Sequence, residues 1–171
     1  MKKKNKILGK NLIYIGLVIC LVLIITYYFE TQKYELENLP ELSTKGFVNA
    51  SVSTNKQNTI YLVSECIQLS MITTEQQIYS IQNGLEKRIG LRPTTHDLIK
   101  DVFDLLNIKV LMVKIHSLKN NTYYANLILK QENKILNLDS RPSDAIAIAI
   151  RTNSPIYIKK DLMEANGRRT C

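Results

Sequence analysis

The stretch Asp139-Ser-Arg-Pro-Ser-Asp-Ala-Ile-Ala-Ile-Ala-Ile-Arg151 decides how the rest of the chain folds. Its first half holds charges and turn formers, whereas its second half is only alanine and isoleucine until Arg151, which predicts a buried element. Pro142 restricts the residue before it to extended geometry, so a strand should end there. Ser143 is a good helix N-cap residue, and Asp144 favours the positive end of a helix dipole. The isoleucines alternate as in a strand, but the alanines and the cap favour a buried helix.

The net charge of +8 belongs mainly to the N-terminus. Five of the 23 basic residues lie in the first ten positions, which contain no acid, so the chain from Glu30 onward is only weakly basic. The basic composition is therefore weak evidence for a nucleic-acid-binding face. The three cysteines lack metal-ligand spacing and imply no disulfide framework, although a Cys66–Cys171 bridge is left as an open alternative.

An apolar run of 18 residues without a charge, at positions 12–29, is just long enough to span a bilayer as a helix. The lysines before it predict a basic cytoplasmic N-terminus at 1–10, a transmembrane signal anchor at 11–29 and a domain outside the membrane. A cleaved signal peptide is the competing interpretation, but the exit of the run is bulky and lacks the small residues of a cleavage site. Residues 30–45 are polar and predict a linker.

Residues 46–167 predict one α+β domain, with a mixed β-sheet, a three-strand meander and flanking helices. Its predicted strands before the first helix are Phe47–Ser53, Thr59–Glu65 and Ile67–Ile72, and the meander comprises Lys109–Ser117, Thr122–Lys130 and Lys134–Asp139. Thr73 and Thr74 should cap one helix, and Thr94 with Asp97 resembles a capping box for a second helix ending near Asn107. A short strand at Pro155–Ile158 follows the opening motif, and residues 168–171 predict a disordered tail.

Three segments of the sequence together carry a family resemblance. They are Arg92-Pro-Thr-Thr-His-Asp-Leu98, Thr122-Tyr-Tyr-Ala-Asn-Leu127, and Asp139-Ser-Arg-Pro-Ser-Asp-Ala-Ile-Ala147 with Pro155-Ile-Tyr-Ile158. Together they resemble the bifunctional nuclease domain family. The resemblance runs from about Phe47 to Gly167 and implies a small α+β domain with nuclease activity on RNA and DNA. The N-terminal anchor departs from the family pattern, because typical members begin almost at the domain itself.

Hydrolysis of nucleic acid needs a general acid and base or a hard metal ion held by carboxylates. The candidates are His96, Asp97 and Asp144 for catalysis, Arg141 and Ser143 for substrate binding, and Asp139 with Asp144 as ligands of Mg²⁺ or Mn²⁺. Each also has a structural interpretation, since first-turn acids, an ion-paired arginine and a backbone-bonded histidine are common. The sequence thus predicts a membrane-anchored nuclease, and the alternative is a non-catalytic module of the same fold that binds a partner or self-associates as a homo-oligomer.

Overall fold

The computed structural model describes residues 2–37, 39–55 and 57–171 and divides into two units, Met1–Ser43 and Thr44–Cys171. The first unit contains one long helix, α1 (Lys2–Glu37), whose window Tyr14–Thr31 has a mean hydropathy of 1.9 and exposed side chains. By length and composition this helix could cross a membrane. It also takes in the first part of the predicted linker, so that segment is helical. Met1 of the predicted basic segment and Asn38 of the predicted linker lie outside the described residues.

The second unit is α+β, as predicted. Its helices are α2 (Glu75–Leu85), α3 (Thr95–Leu105), α4 (Pro142–Thr152) and α5 (Lys160–Asn166). Its strands are β1 (Phe47–Asn49), β2 (Ser51–Thr54), β3 (Thr59–Ser64), β4 (Ile67–Ile72), β5 (Ile108–Lys119), β6 (Thr122–Gln131), β7 (Lys134–Ser140), β8 (Ile156–Lys159) and β9 (Arg168–Arg169). A five-stranded sheet has the order β1-β8-β5-β6-β7, and a four-stranded sheet has the order β2-β3-β4-β9.

The first sheet is mixed because β8 returns beside β5 in parallel, whereas the β5–β6–β7 meander is antiparallel. The chain leaves the meander at Ser140 and enters α4, which packs on β5 and β6 and against α2 and α3. Ile146 and Ala147 of α4 are completely buried, and Ile148 is nearly so. Because α4 is covered on nearly every side, it needs no single apolar stripe, which explains its strand-like alternation of isoleucines.

The start of α4 differs from the prediction. Arg141 is the N-cap residue, with φ −64° and ψ 139°, and Pro142 is the first helical residue. Proline suits this first position, since its missing N–H would be unpaired there in any case. Ser143 therefore lies inside the helix, where it is buried, and its assignment as the N-cap was wrong.

Two further expectations were wrong, because the structure of the two segments concerned depends on contacts between residues that are far apart in the sequence. The predicted strand Phe47–Ser53 breaks at Ala50, so that β1 joins the five-stranded sheet and β2 joins the other. The predicted disordered tail instead forms β9, which pairs with β4, and Cys171 is bonded to Cys66. The disulfide closes a sequence separation of 105 residues, which local sequence patterns do not reveal.

Candidate active site

Three helices of the second unit begin at one cleft, whose volume is about 880 Å³. The residues that line it include Gln77 and Ser80 of α2, Thr94 and His96 at the start of α3, and Arg141 and Asp144 at the start of α4. The unpaired N–H groups at a helix N-terminus carry a partial positive charge. Three such termini around one cavity therefore favour a negatively charged ligand such as a phosphate group.

Capping boxes fix the first turns of α2 and α3 at this cleft. The backbone N–H of Gln77 donates to the Thr74 hydroxyl, and the Gln77 side chain accepts from the Thr74 N–H. Asp97 and Thr94 form the same pair of bonds at α3, which confirms the predicted box. Since the Gln77 amide oxygen is used in the cap, its Nε2 group is left to donate to Asp144 at 3.4 Å.

Asp144 is the point at which the side chains of all three helix starts meet. Arg141 donates from Nε to Oδ2 at 2.6 Å and from Nη2 to Oδ1 at 3.2 Å. His96 Nε2 and Gln77 Nε2 each lie 3.4 Å from Oδ1. A half-buried carboxylate thus occupies a site built from N–H donors, which is the arrangement that also binds a phosphate oxygen.

His96 contacts Asp144 with one ring nitrogen and Ser80 with the other. The Ser80 hydroxyl lies 2.8 Å from Nδ1, and Asp144 lies on the Nε2 side. Burial lowers the pKa of His96, and the nearby Arg151 charge lowers it further against the opposing effect of Asp144. A neutral ring satisfies both contacts when Nε2 carries the proton and Nδ1 accepts from Ser80. Ser80 and Asp144 therefore fix the tautomer and the orientation of His96.

Behind the cleft, Arg151 joins the three helices through a buried ion pair. Its Nε donates to Asp97 Oδ1 at 2.6 Å, and only 5% of the arginine side chain is exposed. The guanidinium also donates to the Ala147 carbonyl of α4, to the carbonyl and hydroxyl of Ser80 and to the Thr94 hydroxyl. Arg151 thereby holds the Ser80 side chain that contacts His96, so it acts on the cleft as a positioning residue.

The pKa of Asp97 predicts how stability depends on pH. Burial alone would raise this pKa, but hydrogen bonds from Arg151 and Thr94 outweigh burial and hold it below the ordinary value of 3.8. The stabilisation from ionised Asp97 should therefore be complete above about pH 4 and be lost as the pH falls through the lower folded value.

Urea unfolding of the wild type and of Asp97→Asn at several pH values checks this expectation. The difference in unfolding free energy between the two proteins should shrink below about pH 4. Asp101→Asn is the matched control, since Asp101 is exposed on the same helix. A difference that stays constant down to pH 2 would contradict the role of the Asp97 charge.

The predicted site residues do not all converge. His96, Arg141 and Asp144 line the cleft. Ser143 lines a smaller neighbouring cavity of about 230 Å³, which shares Arg141 with the cleft. Asp97 lies behind Thr94, with its carboxylate bonded to Arg151 and to the cap. Asp139 is exposed on β7 opposite Asn126 and is absent from the described residues that line the cleft.

Three contributors were missed by the sequence reasoning: Gln77, Ser80 and Arg151. Gln77 and Ser80 lie on what looks from the sequence like an ordinary amphipathic helix. Arg151 carried one available signal, because this charged residue directly follows the six apolar residues Ala145–Ile150 of α4. A buried arginine requires an acidic partner, which would have pointed to a nearby carboxylate such as Asp97.

The donor set at the cleft suits a phosphate better than a divalent cation. Two carboxylates line it, Glu75 and Asp144, and Asp144 is already surrounded by N–H donors. Among the residues that the structure describes, no group of three or more His, Cys, Asp or Glu side chains is arranged to hold a metal ion. Mg²⁺ and Mn²⁺ prefer carboxylate and other oxygen ligands, and the cleft offers few that are unpaired.

Comparison with known proteins finds a family match that lies within this α+β unit. A family profile described as the bifunctional nuclease domain matches residues 62–170. An uncharacterised protein of Mycobacterium tuberculosis is 40% identical over 86 residues, which cover 50% of this chain and 49% of that protein. Bifunctional nuclease 2 of Arabidopsis thaliana is 35% identical over 81 residues, 46% of this chain and 25% of the plant protein. Bifunctional nuclease 2 of Oryza sativa subsp. japonica is 33% identical over 82 residues, with the same coverage. The chain thus spans about half of the mycobacterial relative and a quarter of the plant relatives.

Proposed function

Because the chain belongs to the bifunctional nuclease domain family, we propose that it hydrolyses phosphodiester bonds of RNA or DNA in the cleft between α2, α3 and α4. Relatives named bifunctional nucleases support a nuclease-like function, at 33–35% identity over part of their length. The observation that carries the proposal for this chain is the convergence of Arg141, Gln77 and His96 on Asp144 at three helix N-termini.

Arg141 is the proposed phosphate-binding group. Its side chain is 72% exposed, so it can turn from Asp144 to a phosphate in the cleft without crossing the core. A guanidinium binds two phosphate oxygens at once, and the N-terminus of α4 adds to the attraction. Gln77 Nε2 offers a further donor from α2. Without substrate, Asp144 accepts the hydrogen bonds from Arg141 and Gln77. In this proposal a bound substrate phosphate accepts them instead.

Asp144 is the proposed general base, and His96 is the residue that orients it. When Arg141 binds the phosphate, the Asp144 carboxylate is released to take a proton from the attacking water. The water oxygen forms a bond to phosphorus while the bond from phosphorus to the leaving sugar oxygen breaks on the opposite side. The leaving oxygen takes a proton from a solvent water, and Asp144 returns the proton that it accepted to the solvent. His96 keeps its Nε2–H on Asp144 and orients the carboxylate toward the cleft. Asp97 supports this geometry through Arg151 and Thr94 and does not contact the substrate.

Use of Mg²⁺ or Mn²⁺ remains a prediction, and no step above passes through a metal ion. The full chain, purified in detergent, should cleave fluorescently labelled single-stranded RNA or DNA, and the assay should be run with and without EDTA. Cleavage that survives EDTA supports proton transfer to Asp144 without a metal ion, whereas loss on EDTA and recovery on added Mg²⁺ or Mn²⁺ supports the metal. No cleavage of either substrate by the folded protein would overturn the nuclease proposal.

We also propose that α1 anchors the chain in a membrane and that the α+β unit lies outside. The exposed apolar window Tyr14–Thr31 supports the anchor. The Cys66–Cys171 disulfide supports the outside placement, since such bonds persist in oxidising compartments and are rare in the cytosol. Protease added to intact cells should degrade the unit, and thiol labelling of denatured chain should modify Cys66 and Cys171 only after reduction. A protected unit with free thiols would refute the outside placement.

The alternative is a non-catalytic module that self-associates at the membrane. The observation that favours it is an apolar side of α3 that faces solvent, formed by Leu98, Val102, Leu105 and the adjoining Leu106. Folded but inactive protein that elutes as a dimer or larger oligomer would favour this alternative over hydrolysis.

A further inference from the structure

The five-stranded sheet ends on one side in β7, whose outer edge is open. Five of the seven residues of β7 are exposed, and they include Leu136 and Leu138, which are 36% and 45% exposed. The pairing of β7 with β6 is regular and free of bulges, and β7 contains no proline. Along such an edge the N–H and C=O groups that point away from the sheet are unpaired, so the edge can receive another strand.

This edge differs from the other three sheet edges of the α+β unit. The strands β1 and β2 contain three and four residues and β9 contains two, whereas β7 contains seven. Short edge strands are one way in which proteins avoid pairing between molecules, and charges, prolines and bulges are others. The charged residues Lys134 and Asp139 lie near the two ends of β7 and leave Ile135–Leu138 uncharged. The middle of β7 therefore lacks the usual protection against pairing.

The sequence of β7 is complementary to itself when two copies pair antiparallel about a two-fold axis. With Asn137 on the axis all seven residues are paired, and Leu136 lies opposite Leu138 of a second copy. Residues opposite each other in antiparallel strands share a face of the sheet, so this register keeps the leucines of both copies together. They lie on the side where Leu127 and Leu129 of β6 belong to the buried core. A slip by one residue would place each leucine opposite a residue of the other face.

The other face of the sheet adds a charge match. Lys109 and Lys130 lie directly opposite each other there, and Ile135 is the next residue across the sheet. Like charges in this arrangement repel. In the two-fold register Asp139 of the second copy lies opposite Ile135, about 10 Å from Lys130 between the backbones, a gap that the two side chains can bridge. Within the part of the chain that the structure describes, neither lysine and not Asp139 belongs to an ion pair.

We propose that β7 is the interface between two copies of this chain, which pair antiparallel about Asn137 and join their five-stranded sheets into one. The register also fixes the spacing of the two clefts. Because Arg141 directly follows β7, the two copies of Arg141 lie about 27 Å apart along the paired strands. Lys134 of each copy lies opposite Ser140 of the other, beside that arginine. The interface itself does not depend on the proposed hydrolysis.

Cysteine crosslinking of the full chain in detergent tests the register, in a Cys20→Ser background that removes the free thiol. Asn137→Cys should place two thiols opposite each other, where the Cα separation of about 4.5–5.5 Å suits a disulfide. Mild oxidation should then give a covalent dimer on a non-reducing gel. Lys134→Cys is the matched control, since it is also exposed on β7 but its two copies would lie about 20 Å apart. Equal crosslinking of both variants, or none of Asn137→Cys, would overturn the proposal.

Light scattering during size-exclusion chromatography tests the interface over a dilution series of the full chain in detergent. The wild type should form a dimer, and Leu138→Lys should raise the dimer dissociation constant about 10-fold or more, because it buries an unpaired charge opposite Leu136. Its circular dichroism spectrum should match the wild type. Leu91→Lys is the matched control and should leave the dimer unchanged, since Leu91 is fully exposed between α2 and α3. A wild type that is monomeric throughout would refute the interface, as would an unchanged dissociation constant in Leu138→Lys.

The interface and the nuclease function fail separately. If a monomeric wild type cleaves RNA or DNA, the β7 interface is wrong and the active site stands. If Asn137→Cys crosslinks as expected but the dimer cleaves neither substrate, the interface stands and the hydrolysis proposal is wrong.

Discussion

Asp144→Asn should lower the rate of RNA and DNA cleavage by the full chain about 100-fold or more, because positioned acid–base groups contribute about 10²–10⁴-fold. The amide has nearly the same shape and keeps an oxygen for the Arg141 bonds. It cannot take a proton from water, and its NH₂ group would face donors that now point at a carboxylate. Initial rates at saturating single-stranded substrate measure the effect on the chemical step.

The control for Asp144→Asn is Asp161→Asn, which makes the same change at an acid that is 84% exposed at the start of α5. Its cleavage rate should equal that of the wild type. The far-UV circular dichroism spectrum of Asp144→Asn should match the wild type, so that a lost rate reports chemistry and not unfolding. A folded Asp144→Asn protein with an undiminished rate would remove Asp144 from the mechanism.

Local features of the fold could be predicted from the sequence, since the residues involved are close along the chain. The Thr94–Asp97 box spans one helical turn, and the meander strands were placed to within a residue or two at most ends. The buried helix after Pro142 was also predicted, although its cap was placed two residues too late. In each case the signal was a propensity or a period that acts over a few residues.

The candidate site could be predicted only in part, because its contacts join residues that are far apart in sequence. Gln77 and Asp144 are separated by 67 positions, and Asp97 and Arg151 by 54. The sequence marks Asp97 and Asp144 alike as first-turn acids. Their different roles follow from partners that no local pattern identifies. Arg151 and the capping box use the carboxylate oxygens of Asp97, whereas the exposed Arg141 leaves Asp144 accessible to the cleft.

The apolar face of α3 shows the same limit. By helical spacing, Leu98, Ile99, Val102 and Phe103 fall on one apolar face of this helix, together with Leu105 and Leu106. In the structure Ile99 and Phe103 pack against the core, whereas Leu98 and Val102 remain exposed. Helical periodicity indicates which residues share a face, but how much of that face is covered depends on the neighbouring helix and sheet.

Arg151→Leu should reduce the unfolding free energy by about 3–5 kcal/mol, because removing one member of a buried pair leaves an uncompensated charge. Here the stranded group is Asp97, whose side chain is 15% exposed. The substitution also leaves the Ala147 and Ser80 carbonyls without their guanidinium donors. Urea unfolding monitored by circular dichroism at pH 7 measures the loss.

Arg88→Leu is the control for Arg151→Leu, since its pair with Glu86 is 63% and 52% exposed and should contribute only about 0–1 kcal/mol. The double variant Asp97→Asn with Arg151→Leu sharpens the test. If the cost of Arg151→Leu is the stranded Asp97 charge, the double variant should be less destabilised than the sum of the two single changes. Strict additivity, or a loss below about 1 kcal/mol for Arg151→Leu alone, would show that the pair does not hold the three helices together.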